Sequence, residues 1–167
     1  YLASRGYRRI AYVGENDDAG TRGAARRQGY IAAMSELRLG PPRVLDFAPP
    51  PLSMTQGRLA LTEVLARWPD TDAIACVSDP CAFGVLVEAQ AQGRNVPDEL
   101  GIAGFGGWEV ARCCEPTLTT IAVDAQAMGR EAGLLLNALR AGAAGRAPLK
   151  PVRASVAAHV EPRGSTR

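Results

Sequence analysis

A chain of 167 residues, 47% hydrophobic and 22% charged, has material for one packed core and little beyond one domain. Its net charge of +2, with Arg5, Arg8, Arg9, Arg22, Arg26 and Arg27 scattered instead of forming one dense run with interleaved aromatics, argues against a nucleic-acid surface within this stretch. Cys76, Cys81, Cys113 and Cys114 lack C-x-x-C spacing and His159 is the single histidine, so neither a zinc site nor a disulfide framework is indicated, and no apolar run approaches the roughly 18 residues of a membrane span.

In chain order, the opening residues from Tyr1 read as the last turns of a helix, with no initiator methionine and no secretory layout. They suggest a chain that begins inside a larger, cytoplasmic protein. A strand is expected at Ile10–Val13, then a helix on which Tyr30, Met34 and Leu37 recur at helical spacing. Arg26, four residues before Tyr30, lines up with that apolar face, whereas Arg27 turns away from it. Pro41 and Pro42 follow this helix, and Val44–Phe47 forms the next strand. Leu61, Val64, Leu65 and Trp68 mark a second helix before Pro69, followed by a strand at Ala73–Val77. Ser78 or Asp79 caps a third helix from about Pro80 through Gln92, ended by Gly93, and Ile102–Phe105 forms the fourth strand. A short segment at Val110–Cys114 precedes an extended piece at Thr119–Val123 and a helix from Asp124 to about Leu139. The Gly/Ala-rich stretch Ala141–Ala147 links it to a final strand within Val152–Val160, and the polar tail Glu161–Arg167 is expected to fray.

This alternation predicts an α/β fold with a parallel sheet flanked by helices on both faces. In such sheets ligands gather outside the carboxyl ends of the strands. The loops Gly14–Thr21, Ala48–Thr55, Ser78–Cys81 and Gly106–Glu109 carry Asp17, Asp18, Ser53, Thr55, Ser78, Asp79, Trp108 and Glu109, with Arg22 and Arg26 on the helix opened by the first loop. Fixed polar groups beside one indole suit a polyhydroxy ligand. Each has a plainer account as well. Ser78 and Asp79 can simply cap their helix, Trp108 can be a core residue, and Arg26 can pair with Asp17 or Asp18. Catalytic readings find no G-x-S-x-G elbow, no Walker loop and no nucleophile beside His159. The run Gly101-Ile102-Ala103-Gly104-Phe105-Gly106-Gly107 lacks the G-x-G-x-x-G order of a dinucleotide loop. No catalytic residue, metal or cofactor is expected.

Several stretches together resemble the LacI/GalR family of transcription repressors. Leu2-Ala3-Ser4-Arg5-Gly6-Tyr7-Arg8-Arg9-Ile10-Ala11 looks like its L-x-x-x-G-H-R-R-I-A, and Arg26-Arg27-Gln28-Gly29-Tyr30 like its R-x-x-G-Y/F. More specific are Ser78-Asp79-Pro80-Cys81-Ala82-Phe83-Gly84, like N-D-x-x-A-x-G, and Val96-Pro97-Asp98-Glu99-Leu100-Gly101-Ile102-Ala103-Gly104-Phe105, like V-P-x-D-x-x-x-x-G-F. Pro116-Thr117-Leu118-Thr119-Thr120 completes the series. The resemblance implies a periplasmic-binding-protein-like effector domain, mainly its C-terminal subdomain, with a core over about residues 8–121. A crossing segment and helix over about 122–145 would belong with an N-terminal subdomain preceding Tyr1, and the final strand would span about 151–162. It implies ligand contacts at Arg26, Ser78, Asp79, Gly106, Trp108 and Asp17, and a homodimer contact through Phe83, Leu86, Val87, Cys113 and Cys114. Operator DNA would be bound through a helix-turn-helix absent from this chain.

In place of the family's usual aspartate pair after G-F stand Gly106 and Gly107. Losing a carboxylate removes repulsion toward an anion, while Arg26 offers a bidentate donor fork, so a sugar acid such as gluconate is the expected effector, as in the similar gluconate-operon repressor branch. A periplasmic sugar-binding protein of a transporter is the alternative, and a small α/β enzyme a third reading.

Overall fold

The apolar runs pair edge to edge in the computed structural model, which describes residues 1–15, 22–47, 52–143 and 154–167. After a short 3-10 turn at Ala3–Arg5, the elements follow as β1 (Ile10–Glu15), α1 (Arg22–Glu36), β2 (Arg43–Phe47), α2 (Met54–Arg67), β3 (Ala73–Cys76) and α3 (Asp79–Ala91). Then come β4 (Gly101–Gly106), α4 (Val110–Cys113), β5 (Thr119–Val123), α5 (Ala125–Ala143) and β6 (Ala158–Glu161). The six strands form one sheet in the order β2-β1-β3-β4-β5-β6. The β1–β2, β1–β3, β3–β4 and β4–β5 pairs are parallel, with Val13 opposite Leu45 on one side and Cys76 on the other, and Ile74 opposite Ile102.

Alternation along each strand sends side chains to two covered faces. Tyr12 stacks on Tyr30 of α1, ring centroids 5.3 Å apart. Val13, Ile74 and Ile102 share a core with Leu61 and Val64 of α2 and Val85 and Leu86 of α3. Each such fully buried side chain stabilises the fold by about 2 kcal/mol. A β-carbon at Gly57 would collide with the Cys81 carbonyl, and one at Gly84 with the Met54 carbonyl, so these two glycines let α2 and α3 approach backbone to backbone. Ser53 and Gln56 close a capping box at the start of α2.

Several expectations need correction. Leu37 lies just past the last residue of α1 and is exposed, because the helix ends one residue short of it. Arg27, expected only to turn away from the apolar face, pairs with β2: its Nη1 donates to Asp46 Oδ2 at 2.7 Å. The tail does not fray. Ser165 Oγ accepts from Thr119 N at 2.8 Å and donates to the Ile102 carbonyl at 2.6 Å, and the Ser165 carbonyl accepts from Ile102 N. Ser165 and Thr166 are accordingly buried. The final strand begins later than expected, at Ala158, and α5 runs into the predicted Gly/Ala link as far as Ala143.

The chain divides into two compact units, 1–122 with 160–167, and 123–159. The second consists mainly of α5, whose first turn is capped by Asp124 Oδ1 accepting from Ala127 N at 2.8 Å. Its Met128, Leu134 and Leu136 are exposed.

Candidate functional site

Three parallel strand ends, β1, β3 and β4, put the starts of α1 and α3 and the loop after β4 at one edge of the first unit. Arg26, in the second turn of α1, is fixed there from two sides. Its Nη1 donates to the Val77 carbonyl at 3.0 Å, and its guanidinium carbon lies 3.8 Å from the centre of the Phe105 ring. A cation held against an aromatic face loses little freedom on meeting an anion. Tyr12 lies near enough for Arg26 to oppose the rise that burial imposes on its phenol. The Tyr12 hydroxyl is buried and finds no hydrogen-bond partner among the described residues.

Ser78 is the N-cap of α3, and Asp79 is the helix's first residue. Ser78 Oγ accepts from Cys81 N at 3.4 Å, and the residue is half-buried. Asp79 has no surface at all: it is 0% exposed, Oδ1 accepts from the Thr120 hydroxyl at 2.6 Å, and Oδ2 accepts from Trp108 N at 2.7 Å. The expected direct ligand contact through Asp79 is therefore closed to it. At the end of β4, Gly106 and Gly107 have φ of +127° and +71°, a region that favours glycine. Trp108 follows with its side chain exposed, so the core placement is set aside. Asp17 lies outside the described residues.

Arg26, Ser78, Gly106 and Trp108 thus gather at the carboxyl edge, with Asp79 beneath them. The partners that sequence reasoning missed are Phe105, the Val77 carbonyl and Thr120; only the position of Phe105 at a strand's end could have pointed to it. Cys76 and Cys81 are buried nearby, and burial, followed by Cys81 itself, pushes the Cys76 thiol well above its ordinary value. A groove of about 410 Å³ runs from Arg26 and Phe105 along the apolar face beneath α1 to Tyr1 and Leu2, and Ser78 and Trp108 do not line it. Among the described residues no cluster of three or more His, Cys, Asp or Glu could hold a metal, and no helix is long and apolar enough to cross a membrane.

On α3, Phe83 and Val87 are half-buried, and beyond it Cys113 is exposed and Cys114 half-buried. Leu86 was expected beside them, but it is 1% exposed and packs in the chain's own core.

A parallel sheet whose carboxyl edge presents a fixed arginine, a cap hydroxyl and an indole belongs to the class of α/β ligand-binding domains. The periplasmic binding protein-like domain family matches residues 1–166, and the chain belongs to that family. Its relatives are LacI-family transcription regulators. It is 32% identical over 142 residues to the HTH-type transcriptional regulator GntR of Pseudomonas aeruginosa, covering 85% of this chain and 41% of that protein. To the HTH-type transcriptional repressor CytR of Escherichia coli it is 33% identical over 140 residues, covering 81% of this chain and 39% of that one. A LacI family transcriptional regulator from Silicibacter pomeroyi superposes with a TM-score of 0.89 at 39% identity, over 99% of this chain and 58% of that chain. The transcription regulator GntR from Chromobacterium violaceum does so with a TM-score of 0.83 at 33% identity, over 99% and 59%. The chain therefore spans about two fifths of these two curated relatives and under two thirds of these two solved chains.

Proposed function

We propose that this chain is the effector-sensing and dimerisation part of a cytoplasmic LacI-type repressor, and that Arg26 anchors the carboxylate of a gluconate-like sugar acid. The observation that carries the reading is the Arg26 guanidinium, immobilised between the Val77 carbonyl, one residue before the Ser78 cap, and the Phe105 ring. A bidentate fork already held in place suits a planar carboxylate, and an adjacent hydroxyl suits a polyol. Gly106 and Gly107 add no competing negative charge. The similarity to two GntR regulators supports this choice of effector class, and relatives that are regulators favour it over a transporter's binding protein.

In this reading the second unit, with its exposed Met128, Leu134 and Leu136, belongs with an N-terminal subdomain. A ligand held between the subdomains favours one hinge state, and its differential affinity shifts the DNA-binding population without chemistry. Phe83, Val87, Cys113 and Cys114 form the homodimer surface, and operator DNA is bound by a separate helix-turn-helix.

The test is a thermal-shift titration of the complete effector domain with gluconate, its phosphate and glucose, with Arg26→Ala as control. A ligand at 100 times its Kd adds about 2.7 kcal/mol. Stabilisation by gluconate alone, lost in Arg26→Ala, is the expected result. Equal stabilisation by glucose, or an unchanged response in the variant, would overturn the sugar-acid assignment.

A further inference from the structure

We propose that Gly106, Asp79, Thr120 and Trp108 form one specificity-determining unit, in which a buried network holds the Trp108 indole out as a wall for the apolar C–H face of the effector. This rests on the carboxyl edge being the effector site. A β-carbon at Gly106 would collide with Cδ1 and Nε1 of Trp108, so the indole occupies the space that a side chain at 106 would fill. The indole lies where it does because residue 106 is glycine.

The backbone beneath it is held at two successive N–H groups. Gly107 N donates to Thr120 Oγ1 at 3.3 Å, the same hydroxyl donates to Asp79 Oδ1 at 2.6 Å, and Asp79 Oδ2 accepts from Trp108 N at 2.7 Å. Asp79 cannot shift, because it opens α3 and because its Oδ1 fills the space over Gly104 where a β-carbon would go. Thr120 is 1% exposed and Asp79 0%, whereas Trp108 is 59% exposed. Folding gains little from an indole left mostly in water, yet a closed and fully buried network fixes the backbone that carries it. An aromatic plane held in that way costs a ligand little ordering when it binds. Asp79 and Thr120 are thus positioning residues that act through Trp108.

The experiment uses the complete regulator with Trp68→Phe, so that Trp108 is the single tryptophan of this stretch, and follows its fluorescence anisotropy and the Kd for gluconate. Thr120→Val keeps the shape of the side chain and removes the hydroxyl. We expect it to lower the Trp108 anisotropy and weaken gluconate binding about tenfold. Gly106→Ala should displace the indole and shift its emission. Trp108→Ala should weaken gluconate about as much as Thr120→Val, and the double variant should lose no more than either alone. Losses that multiply in the double variant, or an unchanged anisotropy in both Thr120→Val and Gly106→Ala, would overturn the unit. If the parent protein binds no sugar acid, the effector reading falls and takes the recognition role with it, while the anisotropy still decides whether Trp108 is held by the network.

Discussion

A carboxylate with no exposure must satisfy its oxygens internally, and Asp79 does so with one hydroxyl and one backbone N–H. Asp79→Ala strands both donors in a buried site and should cost about 3 kcal/mol in urea unfolding; a loss under about 1 kcal/mol would mean that water replaces the carboxylate freely. The cysteines offer a second residue-level prediction. Burial raises the Cys76 thiol, so it stays protonated above the ordinary thiol range and lacks the thiolate that alkylates, whereas Cys113 is exposed. At pH 8, in a monomeric form such as the Phe83→Asp variant, iodoacetamide should label Cys113 quickly and reach Cys76 only on unfolding, as peptide mass mapping would show. Helical spacing alone brought Arg26 to the right face of its helix. That it lies on Phe105 was not legible, because α1 and β4 are brought together by the sheet order rather than by local pattern. The Ser78-Asp79 pair was ambiguous for a different reason: a cap, a ligand contact and a buried anchor all use the same two residue types, and only burial separates them.

Among the elements, the contact between α2 and α3 depends on Gly57 and Gly84 having no side chain. Gly84→Ala places a methyl group against the Met54 carbonyl and should destabilise the protein by about 2 kcal/mol despite the better helix propensity of alanine. A neutral or stabilised variant in urea unfolding would show that the helices can separate without loss. Strand and helix order was readable because apolar runs and Pro or Gly stops alternate regularly through Gly93. The tail was not: Ser165 and Thr166 look like solvent-facing residues, and their hydroxyls find partners in β4 and β5 that lie far away along the chain. Ser165→Ala leaves Thr119 N without its acceptor and should raise the hydrogen-exchange rate of Thr119 and Ile102 above that of the β1 amides.

At the scale of the molecule, the dimer surface proposed on α3 predicts that Phe83→Asp turns a sedimenting dimer of the complete regulator into a monomer while leaving its circular dichroism unchanged. A dimer that persists would move the interface elsewhere. Leu86 is no test of it, since a polar residue there would damage the core first.

The stitching of residues 163–166 between the starts of β4 and β5 also sets a timetable. Beyond Ser165, Thr166 meets the Tyr1 hydroxyl at 3.1 Å, and Arg167 N donates to the Tyr7 hydroxyl, so the two ends of the sequence close on one another. During synthesis the early strands can collapse with α2 and α3, but the β4–β5 edge keeps unfilled backbone positions until nearly the last codon of this stretch has been read. Completing the sheet then requires a closure that spans the whole module, which is slow compared with local pairing. Until residues 163–166 join them, the starts of β4 and β5 form one open seam, and that seam is where a chaperone or a protease would find the unfinished chain.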